Sequence, residues 1–167
     1  MFESVTFEPA SLARQQGSLA GELGPGNLEG LRDLLFSPDQ GVIGYRVEAQ
    51  TSIRGNPLLR IKLQGWLVLA CQRCLEGYRF DLDVTDELEL VKSEVDLPAL
   101  ETEETGRDAI VDPGQMDLGQ LLQEEILLAL PLTPVHPEGA CAPPQDASRS
   151  VGHPFAALAR LKSGGAA

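Results

Sequence analysis

The strongest constraint on this fold is an alternation of period two that runs through three successive segments. Ile43, Tyr45, Val47, Ala49, Thr51 and Ile53 alternate with Gly44, Arg46, Glu48, Gln50, Ser52 and Arg54. Neighbouring side chains of a strand point to opposite faces, so such a stretch buries one face and wets the other. After the turn signal Gly55-Asn56-Pro57, the residues Leu59, Ile61, Leu63, Leu67 and Leu69 repeat the pattern, with Arg60, Lys62, Gln64, Trp66 and Val68 between them. Tyr78, Phe80, Leu82 and Val84 then alternate with Arg79, Asp81, Asp83 and Thr85. Short links between such runs predict an antiparallel meander.

Helical spacing is confined to other parts of the chain. Pro9-Ala-Ser-Leu-Ala-Arg opens with a proline suited to a first turn, and Ser18–Leu23 suits a short edge strand. After the break Gly24-Pro25-Gly26, Asn27 resembles a cap for Leu28, Leu31, Leu34 and Leu35. Asp117 with Gln120 forms a second cap, ahead of the stripe Leu118, Leu121, Leu122 and Ile126, which Leu127–Leu130 widens until Pro131 stops it. Glu124-Glu125 reads as the solvated edge of that helix. A last segment starts at Pro154, with Phe155, Leu158 and Leu161 on one side.

The expected fold is therefore α+β. An antiparallel meander over residues 42–54, 58–70 and 78–91, open or partly closed, packs with two or three helices, among them 28–36 and 117–130. The length suits a single domain, 1–167. Residues 92–116, with seven acids and scattered prolines, read as an acidic flexible loop, although Asp108–Asp112 could add a strand. Residues 137–152 read as loop and 163–167 as a frayed tail.

The net charge of −12 conceals a segregation. Residues 1–80 are neutral, whereas 81–146 set Lys92 and Arg107 against seventeen acids. Between Arg46 and Arg79 six basic residues face only Glu48 and Glu76. Arg46, Arg54, Arg60, Lys62 and Trp66 share the outward parity of the first two long strands, and Arg73 follows in the same island. Cations neutralise phosphates and an aromatic plane stacks on an unpaired base, so these six residues are candidate RNA contacts. An ordinary solvated sheet face is the competing reading. The acidic stretch, in turn, could steer a basic protein partner.

Cys71-x-x-Cys74 is the other chemical signal. Two thiols at that spacing can share one metal ion. The remaining soft or imidazole ligands are Cys141, His136 and His153, and His136-x4-Cys141 is the natural second half. Cys71, Cys74, His136 and Cys141 would form a Cys3His set, which favours Zn2+. A redox dithiol, with Arg73 lowering a thiol pKa, is one alternative; thiols packed as small hydrophobes are another. No nucleophile setting, phosphate-cradling glycine loop or carboxylate dyad is present, which argues against an enzyme. Three cysteines suit a reducing cytoplasm, the first residues do not read as a signal peptide, and the longest apolar run, Ile126 to Leu132, is too short to span a bilayer.

Cys71-Gln-Arg-Cys-Leu-Glu76 resembles the Cys-x-Arg-Cys-Leu signature of the YceD-type large ribosomal RNA subunit accumulation proteins. The likeness continues through Asp117-Leu-Gly-Gln-Leu-Leu-Gln-Glu-Glu-Ile-Leu-Leu-Ala-Leu-Pro131, resumes at Val135-His136 and Cys141, and ends at His153-Pro-Phe-Ala-Ala-Leu-Ala-Arg-Leu-Lys162. The resemblance implies a bacterial cytoplasmic factor that supports accumulation of 23S rRNA, and so biogenesis of the large subunit, without catalytic activity. Its implied partners are 23S rRNA or its precursor and large-subunit assembly intermediates. Similar sequences carry more cysteines after the Leu-Pro block; here Cys141 stands with His136 alone, and His153 takes no ligand role.

Overall fold

The computed structural model describes residues 5–97 and 107–141. The chain divides into two units, Met1–Val135 and His136–Ala167.

The three alternating segments become the three long strands of the first unit. These are β3 (Gly41–Thr51), β4 (Pro57–Ala70) and β5 (Gly77–Val91). They pair antiparallel, with Arg46 opposite Lys62, Arg60 opposite Glu87 and Ala70 opposite Gly77. Upstream lie β1 (Thr6–Phe7), helix α1 (Pro9–Arg14) and β2 (Ser18–Leu23). Downstream lie β6 (Asp108–Val111), β7 (Met116–Asp117) and helix α2 (Leu118–Ala129). The main sheet has the order β2-β3-β4-β5-β6, and β1 pairs with β7 in a small second sheet. Among the described strands only β6 runs parallel to its neighbour. Among the described residues β2 and β6 remain as edges, so the main sheet is open rather than closed on itself.

The inward positions carry the core. Ile43, Val47, Leu59, Ile61, Leu63, Leu67, Leu69, Leu82 and Leu90 are buried in one cluster with Leu118, Leu121, Leu122 and Ile126 of α2. Burying one such side chain stabilises the fold by about 1.5–3 kcal/mol, so α2 is held mainly by its apolar stripe. Its start is set as the sequence indicates: the Gln120 amide donates to Asp117 Oδ1 at 2.8 Å. The stripe is narrower than the sequence suggests, because Leu127 and Leu128 are exposed. Glu125, expected at the solvated edge, is buried.

The helix expected over 28–36 does not form. Two single 3-10 turns, Pro25–Asn27 and Glu29–Leu31, take its place, and Leu35 bridges to Leu69. Leu28, Leu31 and Leu35 are buried all the same. The backbone donors go elsewhere: Gly26 N–H donates to Pro38 O at 3.1 Å, and Gly30 N–H donates to Gln123 Oε1 of α2 at 2.8 Å. Asn27 makes no capping bond. A glycine in a helix interior costs about 1 kcal/mol, and here its amide is taken by a tertiary partner.

The β3–β4 hairpin is braced by a buried carboxylate. Glu89, 2% exposed, accepts from Ser52 Oγ at 2.8 Å and Asn56 Nδ2 at 2.9 Å. Ser52 Oγ in turn accepts the Arg54 and Asn56 amides at 3.2 Å each. The loop bearing Arg54 is thus fixed from below. Of the expected acidic loop, residues 98–106 lie outside the described residues, as do the segment from Pro154 and the tail 163–167.

Candidate metal centre and the outer face of the sheet

The cysteine turn is built by the pairing of β4 with β5. Where Ala70 meets Gly77, Cys71 N–H donates to Glu76 O at 2.9 Å and Leu75 N–H donates to Cys71 O at 2.9 Å. Leu75 closes the turn in the left-handed region, with φ of 62°. The Arg73 amide donates to Cys71 Sγ at 3.4 Å. An amide aimed at sulfur favours the thiolate, the form a metal requires. Cys71 is buried and Cys74 half-buried.

The chain after α2 returns to this turn. Gln72 N–H donates to Pro134 O at 2.8 Å. The Tyr78 hydroxyl meets the backbone of Val135, and its pKa is raised by burial and then by the nearby Cys71. His136 is two residues past Pro134, so chain connectivity alone keeps its imidazole within reach of the cysteines. In the second unit Pro137-Glu138-Gly139-Ala140 reverses the chain: Ala140 N–H donates to Pro137 O at 3.0 Å, and Gly139 has φ of 82°. That is the position where such a turn demands glycine. The reversal leaves Cys141 Sγ 3.8 Å from His136 Nδ1. Cys71, Cys74, His136 and Cys141 are together a group that could hold a metal ion. The edge of a tetrahedral zinc site between a thiolate and an imidazole is roughly 3.6 Å, close to the His136–Cys141 separation of 3.8 Å, and the donor set fits the ion in number and type.

The outward positions of the sheet are arranged in rows across the strands. One row runs Ser18–Glu48–Arg60–Glu87, and Arg60 is the centre of its charges. Arg60 Nη2 lies 2.6 Å from Glu87 Oε1, and Arg107 Nε lies 2.7 Å from Glu87 Oε2. The hydrogen bonds of Arg60 and then Arg107 hold the Glu87 carboxyl below the usual carboxylate range. Its contribution to stability is therefore present above that ordinary range and is lost as pH falls through the depressed value. The next row is Ala20–Arg46–Lys62–Thr85. Further along, Arg79 lies over the Trp66 ring at 4.7 Å and pairs with Asp81 at 2.7 Å.

The structure thus gathers Arg46, Arg60, Lys62 and Trp66 on one exposed face and separates them from the other two candidates. Arg54 sits at the hairpin before β4, and Arg73 in the turn after it. The fourteen residues of β4 intervene, roughly 45 Å of strand. Sequence reasoning missed Arg79 on this face, and it missed Asp81, Asp83 and Glu87, which β5 places among the cations. The alternation of Arg79, Asp81 and Asp83 already gave their parity; the pairing register supplied the neighbours.

An α+β protein with an open, mostly antiparallel sheet and a Cys3His cluster at one hairpin is the class that fold and site define. No helix among the described residues is long and apolar enough to cross a membrane. The family model of the large ribosomal RNA subunit accumulation protein YceD matches residues 59–162. The chain belongs to this family, whose name denotes a role in accumulation of the large ribosomal subunit's RNA. The matched span begins in β4 and contains the cysteine turn, α2, His136 and Cys141. No solved structure matches the chain.

Proposed function

We propose that this chain is a non-enzymatic cytoplasmic factor that supports 23S rRNA accumulation by binding precursor 23S rRNA, or a nascent 50S particle, through the outer face of its sheet. The observation that carries this reading is that exposed face, where Arg46, Arg60, Lys62 and Trp66 stand together in a member of a ribosomal RNA accumulation family. Cations there neutralise phosphates, and the tryptophan offers a stacking plane. Arg54 and Arg73 extend the contact at the two ends of β4. Zn2+ at Cys71, Cys74, His136 and Cys141 has a structural role in this reading, because four protein ligands leave no open position for a substrate.

Filter binding of the purified protein to precursor 23S rRNA transcripts tests the reading. Arg60→Glu/Lys62→Glu is expected to lower affinity at least tenfold at about 100 mM salt. Undiminished affinity in a folded variant would remove the face from the model. Elemental analysis after metal-replete expression checks the ion: one zinc per chain is expected, and clearly sub-stoichiometric zinc ends that part.

A further inference from the structure

Three features of the sheet converge on one spot that its own packing leaves unexplained. The first is charge. The rows on either side hold acids: Glu48 and Glu87 flank Arg60, and Glu22 and Asp83 stand in the row of Gly44 and Gln64, where Gln64 Nε2 donates to Asp83 Oδ1 at 3.2 Å. The row between them sets Arg46 directly opposite Lys62, with Ala20 and Thr85 completing it and no acid in it. Like charges directly opposite across a strand pair are destabilising. Arg46 reaches Glu48 only at 3.7 Å with both side chains about half exposed, a pairing worth little. Lys62 has no ion-pair partner among the described residues.

The second feature is Gly44, in the interior of β3 and next to that row. A glycine there weakens a strand and commonly marks close approach by another group. Gly65, paired with Ile43 one position along, has an internal reason, because a Cβ there would collide with the Val42 carbonyl. Gly44 has none: its φ is ordinary for a side chain, and a Cβ would meet only Gln64 O at 3.5 Å, normal contact. The third feature is shape. Ala20, Glu22, Gly44, Arg46, Lys62 and Gln64 line a shallow trough of about 570 Å³.

We infer that the Arg46–Lys62 pair over Gly44 is the subsite for one phosphate of a bound single-stranded RNA. The inference rests on the RNA-binding reading above and narrows it. The missing side chain at Gly44 lets the phosphodiester approach the sheet, and the two cations close on it from the same side. The anion relieves the repulsion between them that the free sheet carries. Arg60, occupied by Glu87, is not part of this subsite.

The test is fluorescence anisotropy with a labelled single-stranded oligoribonucleotide at about 50 mM salt. Lys62→Gln and Gly44→Val are each expected to weaken binding roughly five- to tenfold, and Lys62→Gln to lower the slope of log K against log salt by about 1. Gly44→Val should melt at the same temperature as the parent or higher, which separates lost binding from lost folding. Arg14→Gln, the same charge change on α1, should bind as the parent does. If the parent binds and both trough variants match it, the subsite is wrong while RNA binding stands. If the parent does not bind the oligonucleotide, the RNA reading fails and takes the subsite with it. Saturable binding of inorganic phosphate without RNA binding would likewise overturn the assignment to an RNA strand.

Discussion

At the scale of single residues, the cysteine turn is shaped by Leu75, whose φ of 62° is unfavourable for any residue with a Cβ. The left-handed conformation costs about 1–2 kcal/mol for an L-residue, and glycine gives back about 0.5–1 of it through backbone entropy. Leu75 is 72% exposed, so its removal forfeits little burial. Leu75→Gly is therefore expected to raise stability by about 0.5–1 kcal/mol, read from urea unfolding at equal metal loading; a loss of stability would show that the leucine side chain is held by something else. The turn and its two thiols were legible from Cys71-x-x-Cys74. So was His136 with Cys141, since few other side chains could complete the set. The strain at Leu75 was not legible, because no glycine marks the position.

At the scale of elements, Glu125 shows how packing overrides a local pattern. On α2 it follows the exposed Glu124, yet it is buried where the helix lies on β5. Its pKa is pushed up to about 7, first by burial, then by Asp86 and Asp108, the hydrogen bond with Asp86, and Glu124. The unfolded chain releases this proton in the ordinary carboxylate range, whereas the folded chain keeps it to about 7. The contribution to stability is thus full below the ordinary range and is lost as pH rises through 7. Glu125→Gln keeps a donor for Asp86 without the charge, so it should stabilise the protein by about 2 kcal/mol at pH 8 and change little at pH 5. Denaturant midpoints at the two pH values measure this; equal effects at both would mean that Glu125 ionises normally. The helix end signalled by Asp117 was readable because the cap is local. The segment 28–36 was misread because its end pairs with β4, where Leu35 bridges to Leu69 and Phe36 N–H donates to Val68 O at 2.9 Å, contacts that helical spacing along the chain does not reveal.

At the scale of the whole molecule, the candidate ligands are far apart in sequence, so the binding energy of an ion held by them would become folding energy for the segments that carry them. A strong chelator is expected to lower the melting temperature of the zinc-loaded protein by several degrees, and Cys74→Ser to lower it likewise and abolish the chelator's effect. A melting curve insensitive to chelation would remove the ion from the structural account. The sequence alone determined which residues lie on each face of β3, β4 and β5, because side-chain parity in a strand is a local property. It also determined which residue types were available to ligate a metal. Only the tertiary structure decided which charges became neighbours. Strand register pairs residues distant along the chain, bringing Glu87 to Arg60 while leaving Arg46 beside Lys62. Register is fixed by burial of the opposite face, so the charge pattern of the exposed side depends on core packing that charge counts along the chain do not contain.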